Sequence, residues 1–465
     1  MAEHPYKAGR IEKYAQNELV VELRYLPHIL MRLRDFGLAQ GDPGPEDQSH
    51  ELGLARLKLG DITGIEALLR EHEEKLGCSY YSAELVRKSR GDHAADLDFL
   101  LRGLRESFGR EYAGWWPTMG KNRVVEGVPG QQFVVQQAGG EYVIGHGGDG
   151  PPGPAALPAS WARRAGPDSH FARVGLLDTP LVEHEFLRGA CFGIDGKAVV
   201  ARESGTPRSW RAGHATFVAG LVRRQAPSAE LVVKGVLDSK TGTADTWAVA
   251  TAMVQFARFD VDILNLSFGC FTDDGQAPLV LQRALDRLGP GVIVVAAAGN
   301  HGRVKEEQEK LREDEREGKS EHDPKAPLWP AAFDGVVAVG ASKEFEKPVR
   351  AKFSPDVPWV KLLAPGKKLV STYLRGPVEG IQENFLDGQD LRFDGAAKWS
   401  GTSYAAANVT GVIAARTSPG QRSAREVLGH LLDRSPEAEE RGWVVAPQDE
   451  PEAPPLVKLV RSPEY

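Results

Sequence analysis

The chain has 465 residues, 41% of them hydrophobic and 26% charged, with a net charge of −7. Such a composition is that of an ordinary globular chain, its length predicts roughly two or three domains, and its acidic balance argues against a nucleic-acid partner. No apolar run approaches the roughly 18 residues of a spanning helix, the longest being the stretch 292–298, so no membrane partner is expected.

The first 13 residues are charged throughout. They contain no continuous apolar stretch and no small-residue cleavage site, which does not look like a secretory signal. Cys78, Cys191 and Cys270 are far apart and odd in number. They make neither a disulfide framework nor a paired metal knuckle, and point to buried thiols in a reducing cytoplasm.

In chain order, 18–26 reads as a strand, 27–37 as a short helix and 50–59 as a second strand. The stretch 61–77 is an amphipathic helix with Asp61 as its expected cap and Gly77 as its stop, and 94–112 reads as another helix. Together they predict a small α+β module over 1–116. A β-hairpin with a Gly139-Gly140 turn is expected at 131–146, inside a hairpin and Gly/Pro-rich linker region covering 117–170.

From 171 to 417 the pattern changes. Near-continuous apolar runs at 172–177, 229–237, 261–268, 291–298, 335–341 and 359–366 alternate with helical stretches such as 214–224, 245–259 and 277–288. This order predicts an α/β domain, a parallel sheet with helices on both faces, followed by a C-terminal helix and tail over 418–465. Chemistry in such sheets gathers beyond the C-terminal ends of the strands.

Four chemically distinct residues fall at such places. Asp178 follows the run 172–177, His214 opens a helix, Asn300 follows the run 291–298, and Ser403 opens the stretch Ser400-Gly401-Thr402-Ser403. Alone, each has an ordinary structural role as a cap or turn residue. As a set they supply a hydroxyl nucleophile, a base that titrates near neutrality, a carboxylate to orient it and an amide donor for an oxyanion. A helix start beneath the serine adds a backbone N–H and a favourable dipole.

Seven blocks in this order resemble the subtilisin-type serine proteases, the subtilases. They are 174–189 around Asp178, 213–222 around His214, 261–269, 294–302 around Asn300, 328–342, 353–366 and 400–415 around Ser403. The resemblance implies a subtilisin-like fold and a serine endopeptidase. Ser403 would be the nucleophile, His214 the general base and then acid, and Asp178 its orienter. Asn300 and the Ser403 N–H would form the oxyanion hole. Ser267, Phe268 and Gly269 would pair with an extended protein or peptide substrate. Ala297, Ala298 and Gly299 would form a wall of the specificity pocket, small enough to leave room for a sizeable P1 side chain. His184 matches a histidine with a structural role. The chemistry requires no cofactor; structural calcium, which family members often hold, could sit at Asp387, Asp390 and Asp394 but is not predicted, because their spacing is not a recognised calcium loop.

The chain departs from the family at Thr179-Pro180, Ala215, Tyr404 and Ala407-Asn408, none of which removes a reacting atom. A catalytically weak module that only binds extended peptides is therefore the competing expectation. The stretch 303–325 carries 7 basic and 9 acidic residues, a solvated helical excursion or a docking element for a regulatory partner. Residues 1–150 show no family motif. They could be an inhibitory prodomain, a sensor or docking domain for a regulatory protein partner, or a structural extension; a regulatory role is expected, because an active protease needs restraint in its own compartment.

Overall fold

The computed structural model describes residues 6–8, 12–38, 41–76, 95–127, 132–136, 142–146, 152–157, 172–194, 199–200, 208–302, 325–343, 349–379, 391–432, 444–445 and 458–461. The chain forms two compact units. One is Met1–Val125 with Asp245–Val254 and Cys270–Arg287; the other is Glu126–Ala244 with Gln255–Gly269 and Leu288–Tyr465.

In the first unit, strand β1 (Lys13–Glu22) lies between β2 (Leu54–Lys58) and β3 (Met119–Gly127), antiparallel to both, with Val20 opposite Arg56 and Gly120. Helices α1 (Leu26–Asp35), α2 (Ile65–Leu76) and α3 (Asp96–Glu111) supply the apolar faces that cover the sheet. Leu19, Val21, Ile29, Leu33, Leu57, Leu69, Leu100 and Leu104 form its core. Helix α2 starts later than the sequence suggests. Asp61 accepts from the Thr63 N–H at 2.9 Å and so closes a turn ahead of the helix. Gly77 lies outside the described residues.

β3 is the element that the sequence pattern does not announce. Its centre, Lys121-Asn122-Arg123, breaks any apolar alternation, yet all three side chains are buried. Lys121 Nζ meets Glu12 Oε2 at 3.0 Å and Asp98 Oδ1 at 2.8 Å, and Arg123 Nε meets Glu12 Oε1 at 2.5 Å. Asn122 donates to Glu18 at 2.6 Å and accepts from Thr246 Oγ1 and the Trp247 N–H, both at 3.0 Å. Burying charge at this density requires partners for every group. The last two residues of β3, Glu126 and Gly127, belong to the second unit.

That unit is built on a parallel sheet. Its order is Cys191–Gly193, β5 (Glu230–Gly235), β4 (Arg173–Asp178), β6 (Ile263–Leu266), β8 (Ile293–Ala297), β9 (Val337–Ser342) and β10 (Val360–Pro365), and Lys458–Arg461 then adds antiparallel. The short strand β7 (Phe268–Gly269) follows β6. The chain winds outward from β4 in both directions, so the gap beyond β4 and β6 is the sheet's switch point. Strands β11 (Leu369–Glu379) and β12 (Leu391–Trp399) form an antiparallel ladder, and Gly153–Pro154 from the Gly/Pro-rich stretch pairs with Ala397 and Lys398 on its edge.

Helix α5 (Thr402–Arg416) is buried from Thr402 to Ala414, as a helix without a polar face must be. It packs on helix α4 (His214–Gln225) so closely that a Cβ on Gly411 would lie 2.5 Å from Gln225 Cβ. The expected hairpin pairs Gln132–Gln136 with Tyr142–His146, Val134 opposite Ile144. Its Gly139-Gly140 turn lies outside the described residues, as do 303–324, Asp387 and Asp390. Among the described residues, no helix is long and apolar enough to cross a membrane.

Candidate active site

Four elements of the second unit bring the predicted residues to the switch point. Asp178 is the last residue of β4, His214 the first of α4, Asn300 comes three positions after β8 ends, and Ser403 is the second residue of α5. All four are buried.

His214 Nδ1 lies 2.7 Å from Asp178 Oδ1 and 2.9 Å from Oδ2. An ionised carboxylate can only accept, so Nδ1 carries a proton, and in the neutral imidazole Nε2 is left with its lone pair. The turn behind Asp178 explains the Thr179-Pro180 departure. The Thr179 N–H donates to Asp178 Oδ1 at 2.6 Å, and Thr179 Oγ1 accepts from the Ala215 N–H at 3.2 Å. One threonine thus holds the carboxylate and satisfies a donor in the first turn of α4, where the Ala215 methyl fits fully buried.

At the other side, Asn300 Oδ1 accepts from both the N–H and the hydroxyl of Thr402, at 3.0 and 3.1 Å. Thr402 Oγ1 in turn accepts from the Gly299 N–H at 3.1 Å. These bonds fix the Asn300 amide at the start of α5 with its nitrogen turned toward Gly401, 3.5 Å from where a Cβ there would lie. Gly299 has φ of +109°, and a Cβ on it would meet His301 Nδ1 at 2.5 Å, so only glycine fits this wall. Ser267 Oγ donates to the Ser403 carbonyl at 3.4 Å and accepts from Asn265 at 3.0 Å, tying the strand 267–269 to α5.

Among the described residues, His214 Nε2 and Ser403 Oγ are buried polar atoms without a hydrogen-bond partner. They do not bond one another here. Buried polar atoms are normally satisfied, and a catalytic role is one of the reasons for an exception; Ser342 Oγ and Trp359 Nε1 are further exceptions in the same unit. The sequence reading passed over the walls around this pair. Trp399 stands edge-on to the His214 ring at 5.8 Å, and Tyr404 tilts over it at 5.7 Å. Phe217, Trp210 and Tyr373 pack behind Trp399 at 5.5 to 5.9 Å. Burial pushes the Tyr404 hydroxyl well above the ordinary phenol range. The aromatic residue directly before Ser400 was the available signal.

The Ala407-Asn408 departure is also built in. Asn408 Nδ2 donates to the Pro365 carbonyl at 2.9 Å and its Oδ1 accepts from Gln225 Nε2 at 2.9 Å, joining β10, α5 and α4. His184 uses both ring nitrogens on backbone: Nδ1 accepts from the Phe186 N–H at 3.2 Å, and Nε2 faces the Gly395 carbonyl at 2.8 Å.

The sequence model described as the Subtilase family matches residues 171–437, more than half of the chain. The chain is 28% identical over 252 residues to the thermostable alkaline protease of Halalkalibacterium halodurans, covering 52% of this chain and 56% of that protein. Over 223 residues it is 26% identical to the thermophilic serine proteinase of Bacillus sp. strain AK1, covering 48% and 43%. Over 296 residues it is 26% identical to the major intracellular serine protease of Bacillus subtilis, covering 60% and 79%. The chain thus spans about half the length of the first two relatives. Among solved structures, fervidolysin from Fervidobacterium pennivorans matches with a TM-score of 0.49 at 14% identity, over 96% of this chain and 66% of that one.

Proposed function

This chain belongs to the subtilase family, and from that premise we propose that it is a serine endopeptidase that cleaves peptide bonds through an acyl-enzyme on Ser403. The observation that carries the reading is the pair of buried, unpartnered atoms Ser403 Oγ and His214 Nε2, beside a His214–Asp178 pair already bonded. In the proposed reaction, His214 Nε2 takes the hydroxyl proton as Ser403 Oγ attacks the scissile carbonyl carbon. Asp178 fixes the tautomer and stabilises the imidazolium. Asn300 Nδ2 and the Ser403 N–H receive the oxyanion. The C–N bond then breaks as His214 returns the proton to the leaving amine, and a water activated by the same imidazole releases the acyl group. No step calls on a cofactor.

Substrate would bind by strand addition to Ser267, Phe268 and Gly269, against the wall Ala297, Ala298 and Gly299. In support, β7 already accepts an antiparallel partner: Phe268 lies opposite Gly127 and Gly269 opposite Glu126. A substrate needs the same edge, so this pairing would restrain the enzyme until it is displaced. Proline at 126 removes a backbone donor of that partner, whereas the Gly127 N–H donates to the Gly242 carbonyl at 2.8 Å and is left in place. A higher rate on a short peptide is then expected, and an unchanged rate would sink the restraint. The scattered cysteines and the similarity to an intracellular protease support a cytoplasmic setting.

A serine-directed fluorophosphonate tests the chemistry. Labelling of the wild type that disappears in Ser403→Ala and in His214→Ala is expected; label that persists in Ser403→Ala refutes the assignment. The missing bond between Ser403 Oγ and His214 Nε2 favours one alternative, a module that captures extended peptides without cleaving them. Peptide binding with neither label nor hydrolysis would establish it.

A further inference from the structure

The walls that the proposed P1 side chain would enter between are 267–269 on one side and 297–299 on the other. Both end in glycine, and one side chain touches both glycines. A Cβ on Gly269 would lie 2.5 Å from Leu328 Cγ and 2.8 Å from its Cδ1; a Cβ on Gly299 would lie 3.1 Å from Leu328 Cδ2. The isobutyl group of Leu328 therefore spans the space between the walls and rests on the bare α-carbons of both.

It is held there. The Leu328 carbonyl accepts from the Ala332 N–H at 2.9 Å, and two residues earlier the Ala326 carbonyl lies 3.2 Å from His301 Nε2. The His301 ring crowds Gly299 from its other nitrogen, with Nδ1 2.5 Å from the same Cβ position. Leu328 is 5% exposed and His301 2%. Cores packed to this density do not open for an extra ring without displacing a side chain.

We propose that Leu328, braced by His301, closes the P1 subsite, so that the chain accepts glycine, alanine or serine at P1 and rejects phenylalanine, tyrosine and leucine. The smallness of Ala297, Ala298 and Gly299 then makes room for Leu328 and not for substrate, which reverses the expectation of a large P1 residue. The inference rests on the peptidase reading of 267–269 and 297–299, and it names that site's substrate class.

Two measurements on the full chain test it. The first is the relative kcat/KM of peptides that differ only at P1, alanine against phenylalanine, in the wild type and in Leu328→Gly. One misfitted methylene shifts such ratios by roughly 10- to 200-fold, so a preference for alanine of at least about tenfold is expected, inverting in Leu328→Gly. The second is fluorescence anisotropy of labelled peptides ending in alanine or phenylalanine, bound to Ser403→Ala. Equal or better use of phenylalanine by the wild type overturns the proposal, and so does an unchanged ratio in an active Leu328→Gly. If Leu328→Gly does not fold, the wild-type ratio decides alone. Absence of hydrolysis with alanine-selective binding refutes the peptidase reading and leaves the closed subsite standing. Absence of both hydrolysis and P1-dependent binding removes both.

Discussion

Two buried polar clusters solve opposite problems. In the first unit, Glu12, Asp98, Lys121 and Arg123 are buried and each charge meets an opposite one. In the second, the Asp178–His214 pair and Ser403 are buried among aromatic rings, and two of their polar atoms meet nothing among the described residues. A saturated cluster holds strands together and offers nothing to a ligand. An unsaturated one costs stability and keeps its atoms for a substrate. The difference gives the two clusters opposite expected responses to substitution. Removing a group should cost activity in one cluster and folding in the other.

The largest expected effect is on Ser403. Ser403→Ala should lower kcat by about 10⁶, the loss seen in subtilisin itself when its serine is removed. Its stability should be unchanged or higher by about 1 kcal/mol, because an unpaired buried hydroxyl leaves with the side chain. Peptide turnover and a urea titration on the same sample read both. A Ser403→Ala protein that loses several kcal/mol would mean that the hydroxyl has a structural partner, and the comparison would fail on this side.

Lys121→Met is the mirror experiment. It takes the cation from Asp98 while Glu12 keeps Arg123, and breaking a buried pair in this way costs about 3–5 kcal/mol. The urea midpoint should fall accordingly. A cost under about 1 kcal/mol would show that the cluster is hydrated or rearranges, and that saturation is not what holds β3 on β1.

Asn300 stands between the two kinds of site, since one end of its amide is structural. Asn300→Leu should lower kcat by about 10²–10³ if the nitrogen serves the oxyanion. The same variant strips the Thr402 N–H of its acceptor, which adds about 1 kcal/mol of lost stability. Asn300→Asp keeps the acceptor and loses the donor, so it should keep the stability and still lose the rate. A rate within about threefold of wild type in both would mean that the oxyanion is held elsewhere.

The parallel sheet and the four residues proposed to react were legible because each lies at a strand or helix end, where the apolar run stops abruptly. Asp178, His214, Asn300 and Ser403 are punctuation in the pattern. β3 was hidden for the opposite reason. Its Lys121-Asn122-Arg123 centre looks like a loop until Glu12, 109 residues from Lys121, supplies the charge that lets it be buried. Leu328 was hidden too: a single leucine after a charged stretch carries no mark of the two glycines it lies against. Trp399 and Tyr404 were visible as residues, but their enclosure of His214 depends on how β12 meets α5. Local signals reached positions and not what packs across them.

The smallest expected effect tests whether a saturated histidine behaves as the comparison requires. His184 accepts the Phe186 N–H at Nδ1, so the proton is on Nε2, donated to Gly395. Burial lowers its pKa, and the Arg375 guanidinium adds to this; the Gly395 bond and Glu185 oppose it. The folded chain therefore resists a proton that the unfolded chain accepts near the ordinary imidazole value of about 6.5. Its contribution is complete above that pH. It declines as pH falls from there toward the lower folded value, and below that value the loss is constant. A second proton would sit on Nδ1 and remove the acceptor for Phe186, a loss of about 1 kcal/mol. His184→Gln should be less stable at pH 8 and should show a flatter decline as pH falls below about 6.5. Parallel curves for the two proteins would mean that folding does not shift the titration of His184 and that its burial and its Nδ1 bond do not hold the proton off.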